Sequence, residues 1–117
     1  YVPEEVEEYV ALDIGLIGPD YHADEKTVSI CAKDNYSPYD RELTTRIINQ
    51  AKKTNLNYCV DVFFHYGTDA NAAIRAGNNV YAAAFGMAVI NSHGKKRCHI
   101  DSIVDTTKLA IAYALDL

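Results

Sequence analysis

Residues 90–102, INSHGKKRCHIDS, gather two of the chain's four histidines, His93 and His99, with Cys98, a basic triplet and Asp101. Imidazole, thiolate and carboxylate are the side chains that hold divalent metals such as zinc. Cys98 has no second cysteine near it, however, and the spacing of His93 and His99 is a weak metal signal, so a zinc site contained in this stretch has poor support. Other residues with chemical potential are scattered. Asp13 stands in the apolar setting VALDIG, Asp34 follows TVSICAK, His65 follows two phenylalanines, and Thr68 and Asp69 belong to GTDA. A carboxylate among apolar residues needs a helix N-terminus, a basic group or a metal; Asp13 equally suits a turn-capping role. GTDA also reads two ways. Thr68 or Asp69 caps a helix, or the helix-start amides and the Asp69 carboxylate face a ligand. By default His22 is an exposed loop residue, His65 a core histidine, and Lys95, Lys96 and Arg97 a solvated patch.

The elements that must position these residues follow from periodicity. Segment 8–14, EYVALDI, alternates as a strand with Val10 and Leu12 on one face. Gly15, Gly18 and Pro19 punctuate a loop over 15–26. Segment 27–33, TVSICAK, is a second strand. In SPYDRELTTRIINQAKK, Ser37 and Asp40 fit a capping box and Pro38 the first helical position. Leu43, Ile47, Ile48 and Ala51 share one helical face, and Asn55 is the stop. YCVDVFF, 58–64, is an apolar strand; an alanine-rich helix follows GTDA and ends at Gly77. Segment 79–90 reads as a strand buried on both faces. The last helix, 102–116, opens with Ser102 and Asp105, and Ile103, Thr107, Ala110 and Ala114 form its stripe. The order β-β-α-β-α-β-α predicts an α/β fold, a layered mixed sheet with flanking helices and parallel pairs in its second half.

Sites in such sheets collect beyond the carboxyl ends of strands. If the strands share a direction, Asp13, Asp34, the 65–69 segment and His93 converge on one rim. If the first two strands run antiparallel, Asp34 lies on the opposite rim.

A chain of 117 residues is one domain's worth and buries a core unaided. Its net charge of −5 argues against nucleic acid as the main partner. No apolar run is long enough to span a bilayer, and there is no signal peptide. Cys31 and Cys59 sit in apolar runs and read as buried free thiols, which points to a reducing, cytoplasmic compartment. The chain begins at Tyr1 and its only methionine is Met87, which points to a piece of a longer protein.

Taken in order, VALDIG, TVSICAKD, SPYD, HYGTDANAAIRAG and SHGKKRCHIDS resemble the C-terminal half of the tetrahedral and glutamyl aminopeptidases. These are dinuclear metallopeptidases of the cytoplasm, some labelled endoglucanases. The resemblance covers essentially the whole chain, 1–117, as one domain that is a C-terminal fragment of a zinc-aminopeptidase-like catalytic domain. It implies that Asp13 is a terminal ligand of one metal ion and His93 of the other, with Thr68 and Asp69 on the substrate-binding side. The implied cofactors are two divalent ions (zinc, cobalt or manganese), which polarise the scissile carbonyl and generate hydroxide near neutral pH. The implied partners are peptide substrates and further copies of the chain in a homo-oligomer, with neither nucleic acid nor membrane. Lys96 stands where the SHG subgroup usually carries an acidic residue; His99 matches a second histidine taken as structural or supporting.

The resemblance also implies absences. The family supplies a further histidine, a bridging aspartate and a Glu-Glu pair, including the general base, from residues upstream of the ALDIG strand. The pairs Glu4-Glu5 and Glu7-Glu8 lie too close to Asp13 to serve. No catalytic residue is therefore assigned within this chain, and the inserted dimerisation domain is missing as well. The expectation is a metal-dependent aminopeptidase whose C-terminal part is inactive until its missing N-terminal part is supplied. The alternative is a non-catalytic α/β module for ligand binding or oligomerisation.

Overall fold

The structure is a computed structural model that describes residues 3, 5–18, 21–34, 38–63, 68–77, 79–92 and 95–115, with only the backbone at 16, 69, 91–92 and 95–97. The elements are β1 (Glu8–Leu16), β2 (Val28–Lys33), α1 (Arg41–Lys53), β3 (Tyr58–Val62), α2 (Asp69–Arg75), β4 (Tyr81–Ser92), β5 (Lys95–Cys98) and α3 (Ile100–Leu115). They form one mixed sheet in the order β1-β4-β2-β3, with β5 on β4. β1 and β4 are parallel, β2 and β3 are parallel, and β2 runs antiparallel to β4. Val89 pairs with Leu16 on one edge of β4 and with Cys98 on the other, so β5 continues the β2 side.

Alternation along the strands sorts the two faces. Val10, Val28, Ile30, Ala83 and Phe85 pack with Leu43, Ile47 and Ala51 of α1 and Leu109 of α3. On the other face Tyr9, Ala11, Cys31, Phe63, Ala82 and Ala84 pack with Ala70 of α2. β4 carries only methyl side chains over Ala82–Ala84, and both faces of it are buried there. At Gly86 a Cβ would overlap the Asp13 carbonyl oxygen, so only glycine lets β1 lie where it does.

Glu8 accepts from Arg46 of α1 and from the Tyr113 hydroxyl of α3, both at 2.5 Å, which ties the start of β1 to both helices. Ser102 is fully buried; its hydroxyl donates to the Thr27 carbonyl and accepts from the Ala88 N–H.

Several boundaries differ from those expected. The helix after SPYD starts three residues later, because Asp40 is its N-cap, accepting from the Leu43 N–H at 2.8 Å. Asn55, with φ of 57°, follows that helix as expected. The basic triplet, read as a solvated patch, belongs to strand β5, which pairs antiparallel with β4. The last helix starts at Ile100, and Ser102 bolts strand to loop instead of capping. Its buried face is Ser102, Thr106, Leu109 and Ala112, not the expected stripe. Ile100, Val104, Ile111 and Leu115 are exposed on its outer side, so hydrophobicity alone could not choose the inward face.

All three cysteines are free, Cys31 and Cys59 buried and Cys98 exposed. Burial pushes the Cys31 thiol up to about 12, against the opposing effect of a backbone hydrogen bond from Lys33. Burial likewise raises Cys59 to about 11. Both stay protonated at pH 8. A thiol reagent at that pH should therefore modify Cys98 rapidly and the other two only after denaturation; rapid native modification of all three would contradict this packing.

Candidate functional site

Asp13 lies on the α2-facing side of β1, in register with Gly86, three residues before the strand ends at Leu16. It is half-buried, and its Oδ1 accepts from the Ile14 N–H at 2.8 Å. That bond fixes one carboxylate oxygen. β4 runs on past Gly86 to Ser92, in the same direction as β1. His93 follows directly but lies outside the described residues, as does His65. Among the described residues no three of His, Cys, Asp and Glu are grouped to hold a metal ion. The donor chemistry of Asp13 fits one carboxylate ligand of a divalent ion, not a complete site.

The strands do not all share a direction, so the polar residues do not meet on one rim. β2 and β3 end on the side where β1 and β4 begin. There the fully buried Asp34 accepts from the Tyr39 hydroxyl at 2.8 Å, the Thr68 N–H at 3.1 Å and the Asn71 side-chain amide at 2.7 Å. The Tyr39 and Thr68 hydroxyls are hydrogen-bonded to each other. Burial drives the Tyr39 phenol far above its usual range; the Thr68 bond opposes this and Asp34 adds to it. Thr68 is the N-cap residue of α2, yet its side chain makes no capping bond. Its hydroxyl and amide instead pin α2 to the end of β2. Asp69 opens that helix, described by its backbone alone. Thr68 is thus near the end of β2, while Asp13 is level with Ser29 near the start of that strand, through Gly86.

The sequence marks Asp34 by its place at a strand end, without its partners; the buried Asp61 is not singled out there. Asp61 sits mid-strand in YCVDVFF, where a lone carboxylate was itself the signal that a partner must exist. Its Oδ1 accepts from the backbone N–H of His22 at 2.8 Å and pairs with the imidazole Nδ1 at 2.7 Å; Oδ2 accepts from Ala23. His22 is 80% exposed as expected, but anchored. Together Asp13, Asp34 and Asp61 surround Cys31 with negative charge, which adds to the burial that holds its thiol protonated. A cavity of about 380 Å³ lies beside the start of β1, lined by Glu8, Asp40, Glu42, Leu43, Arg46 and Tyr81. The Glu8–Arg46 ion pair occupies its wall, and it has no part in the Asp13 side.

Removing the Asp34 carboxylate would leave three buried donors without their acceptor. Asp34→Ala is expected to destabilise the chain by roughly 3 kcal/mol, read as a lowered urea midpoint. A midpoint unchanged from the parent would show that the network contributes nothing.

The comparisons with known proteins bear on the whole chain. Residues 1–109 match the family model described as M42 glutamyl aminopeptidase. A curated relative from Bacillus subtilis (strain 168), "Putative aminopeptidase YhfE", is 38% identical over 112 residues, covering 96% of this chain and 32% of its own. Among solved structures, the PhTET1-12s dodecamer superposes with a TM-score of 0.80 at 24% identity, over 100% of this chain and 35% of that one. The TET1 peptidase of Pyrococcus horikoshii, described as assembling into a tetrahedron or a large octahedral shell, gives 0.79 at 23% identity, over 95% and 34%. These structural matches carry the fold. The chain spans about a third of the length of these relatives. By its match over residues 1–109, this chain belongs to the M42 glutamyl aminopeptidase family.

Proposed function

We propose that the chain forms the C-terminal part of the catalytic domain of a metal-dependent aminopeptidase, which removes N-terminal residues from peptides. The family match over residues 1–109 carries this reading, since it spans both Asp13 and His93. In it, Asp13 and His93 are terminal ligands of two divalent ions, zinc, cobalt or manganese, while the buried Thr68, at the other end of β2, serves as an anchor of α2. The parallel pairing of β1 and β4 supports the ligand assignment, because both strands leave the sheet at the same end.

When bound, the ions supply Lewis acidity and a water acidic enough to ionise near neutral pH. Asp13 contributes a carboxylate whose orientation is set by the Ile14 amide. The buried Asp34 network holds the 68–69 segment rigidly against the sheet. The general-base glutamate and the remaining ligands come from the part of the fold that this chain does not contain, so the chain alone is inactive. We place the intact protein in the cytoplasm as a homo-oligomer. Three free cysteines suit a reducing compartment, and the structural relatives are large assemblies. No helix among the described residues is long and apolar enough to cross a membrane.

The test uses the intact protein, assayed with aminoacyl-anilide substrates and metal analysis. Asp13→Ala and His93→Ala should each lower kcat/KM by roughly 100-fold or more and reduce the bound metal per chain. Full activity and unchanged metal content in both variants would defeat the ligand assignment.

A further inference from the structure

A buried hydroxyl without a partner is uncommon, because it has given up water and received nothing in exchange. Among the described residues four buried side-chain atoms stand so: the hydroxyls of Ser29, Thr44 and Thr106 and the Gln50 carbonyl oxygen. Thr44 and Gln50 belong to α1 and Thr106 to α3, across the sheet from the face that carries Asp13. Ser29 is the one that lies in a strand. It is 2% exposed. Its neighbours Val28 and Ile30 pack toward α1 and α3, so alternation turns Ser29 to the other face, with Cys31 and Asp13.

Ser29 leans toward β1. It is level with Asp13 through Gly86, which pairs with both and puts no side chain between them. A Cβ on Gly15, two residues beyond Asp13 on the same face, would overlap the Ser29 Cβ and Oγ, so the serine side chain reaches over β4 into the space beside β1. From the other direction, the Asp13 charge is felt at the Cys31 thiol, two residues along β2 from Ser29. The polar neighbour on the far side is already engaged. Cys59 pairs with Ser29 in β3, and the serine opposes the burial that raises its thiol, but that thiol bonds to Thr27, Val28 and Asp61.

We propose that Ser29 is a positioning residue for the metal site: its hydroxyl donates to the Asp13 carboxylate when the ion is bound and so fixes the side that the carboxylate turns to the ion. This rests on the reading of Asp13 as a ligand and adds to it the group that orients that ligand. Partners of this kind raise metal affinity by holding a ligand in its binding orientation. A hydroxyl bonded to a charged oxygen is stronger than one bonded to a neutral oxygen. The Ile14 amide holds Oδ1 from within the strand, and Ser29 adds a donor from across the sheet. Any larger residue at Gly15 would displace the serine side chain, which ties that glycine to the same role. Without the ion the hydroxyl makes no bond and does not support the fold.

The experiment compares the intact protein with its Ser29→Ala, Asp13→Ala and double variants. It reads cobalt(II) affinity by competition with a chelator, the visible absorption of the bound cobalt, and the urea midpoint of the metal-free protein. Ser29→Ala should weaken cobalt binding by roughly 10- to 100-fold and shift the cobalt absorption, while the metal-free midpoint stays the same or rises. In the Asp13→Ala background Ser29→Ala should weaken binding no further, because its effect runs through that carboxylate. Parent affinity and absorption in Ser29→Ala, with Asp13→Ala defective, would overturn the role of Ser29 and leave the ligand reading standing. So would a loss of affinity accompanied by a lowered metal-free midpoint, which marks a merely structural role. An equal loss from Ser29→Ala with and without Asp13 would also overturn it. Parent affinity in Asp13→Ala would defeat the ligand reading and this inference with it.

Discussion

Everything in this fold is arranged around how little space β4 takes up. Strand β4 pairs with β1 on one edge and with β2 and then β5 on the other, and it is packed from both faces. Ala82, Ala83 and Ala84 let the helices and α2 come close, and Gly86 lets the Asp13 backbone come closer still. A larger side chain at Gly86 would push β1 away and take Asp13 with it. The position of the proposed ligand is thus set by a glycine more than seventy residues later in the chain.

Burial of charge provides the second constraint. Asp34 and Asp61 are each taken out of water, an expensive step unless hydrogen bonds replace the lost solvent. Asp34 meets this with a phenol, an amide of the helix start and an asparagine. Asp61 uses two loop amides and an imidazole. Each aspartate therefore fixes a segment that has no regular structure of its own: Asp34 the entry to α2, Asp61 the loop between β1 and β2. Asp13 differs from both. It is half-buried, and its carboxylate accepts from its own neighbour's amide, whereas the other two are each bonded to three groups from other segments.

Much of the architecture was legible in the chain. Val10 and Leu12 alternate as a strand demands, and Leu43, Ile47 and Ala51 fall on one helical face that is indeed buried. The free thiols in β2 and β3 followed from their apolar surroundings. α3 was harder, because isoleucine, valine and leucine occupy its outer side as well as its inner one. The basic triplet was harder again. Lys95, Lys96 and Arg97 have the composition of a solvated patch, and only pairing with β4 makes them part of a strand. At the site, the ordered motifs pointed to Asp13, His93, Thr68 and Asp69. They did not disclose that Thr68 spends its hydroxyl and amide on a buried network.

The sequence by itself determined the element types, the free thiols and the family, because these depend on local periodicity, apolar context and ordered motifs. The tertiary structure alone decided strand direction and order, and through them which polar residues are neighbours. It sent β2 antiparallel to β4 and so put Asp34 and Thr68 together, away from the level of Asp13. It also put β1 at the end of the strand order among the described residues. Both outcomes depend on pairings between residues far apart in the chain, and hydrogen bonds between strands leave no mark on the residue types that make them.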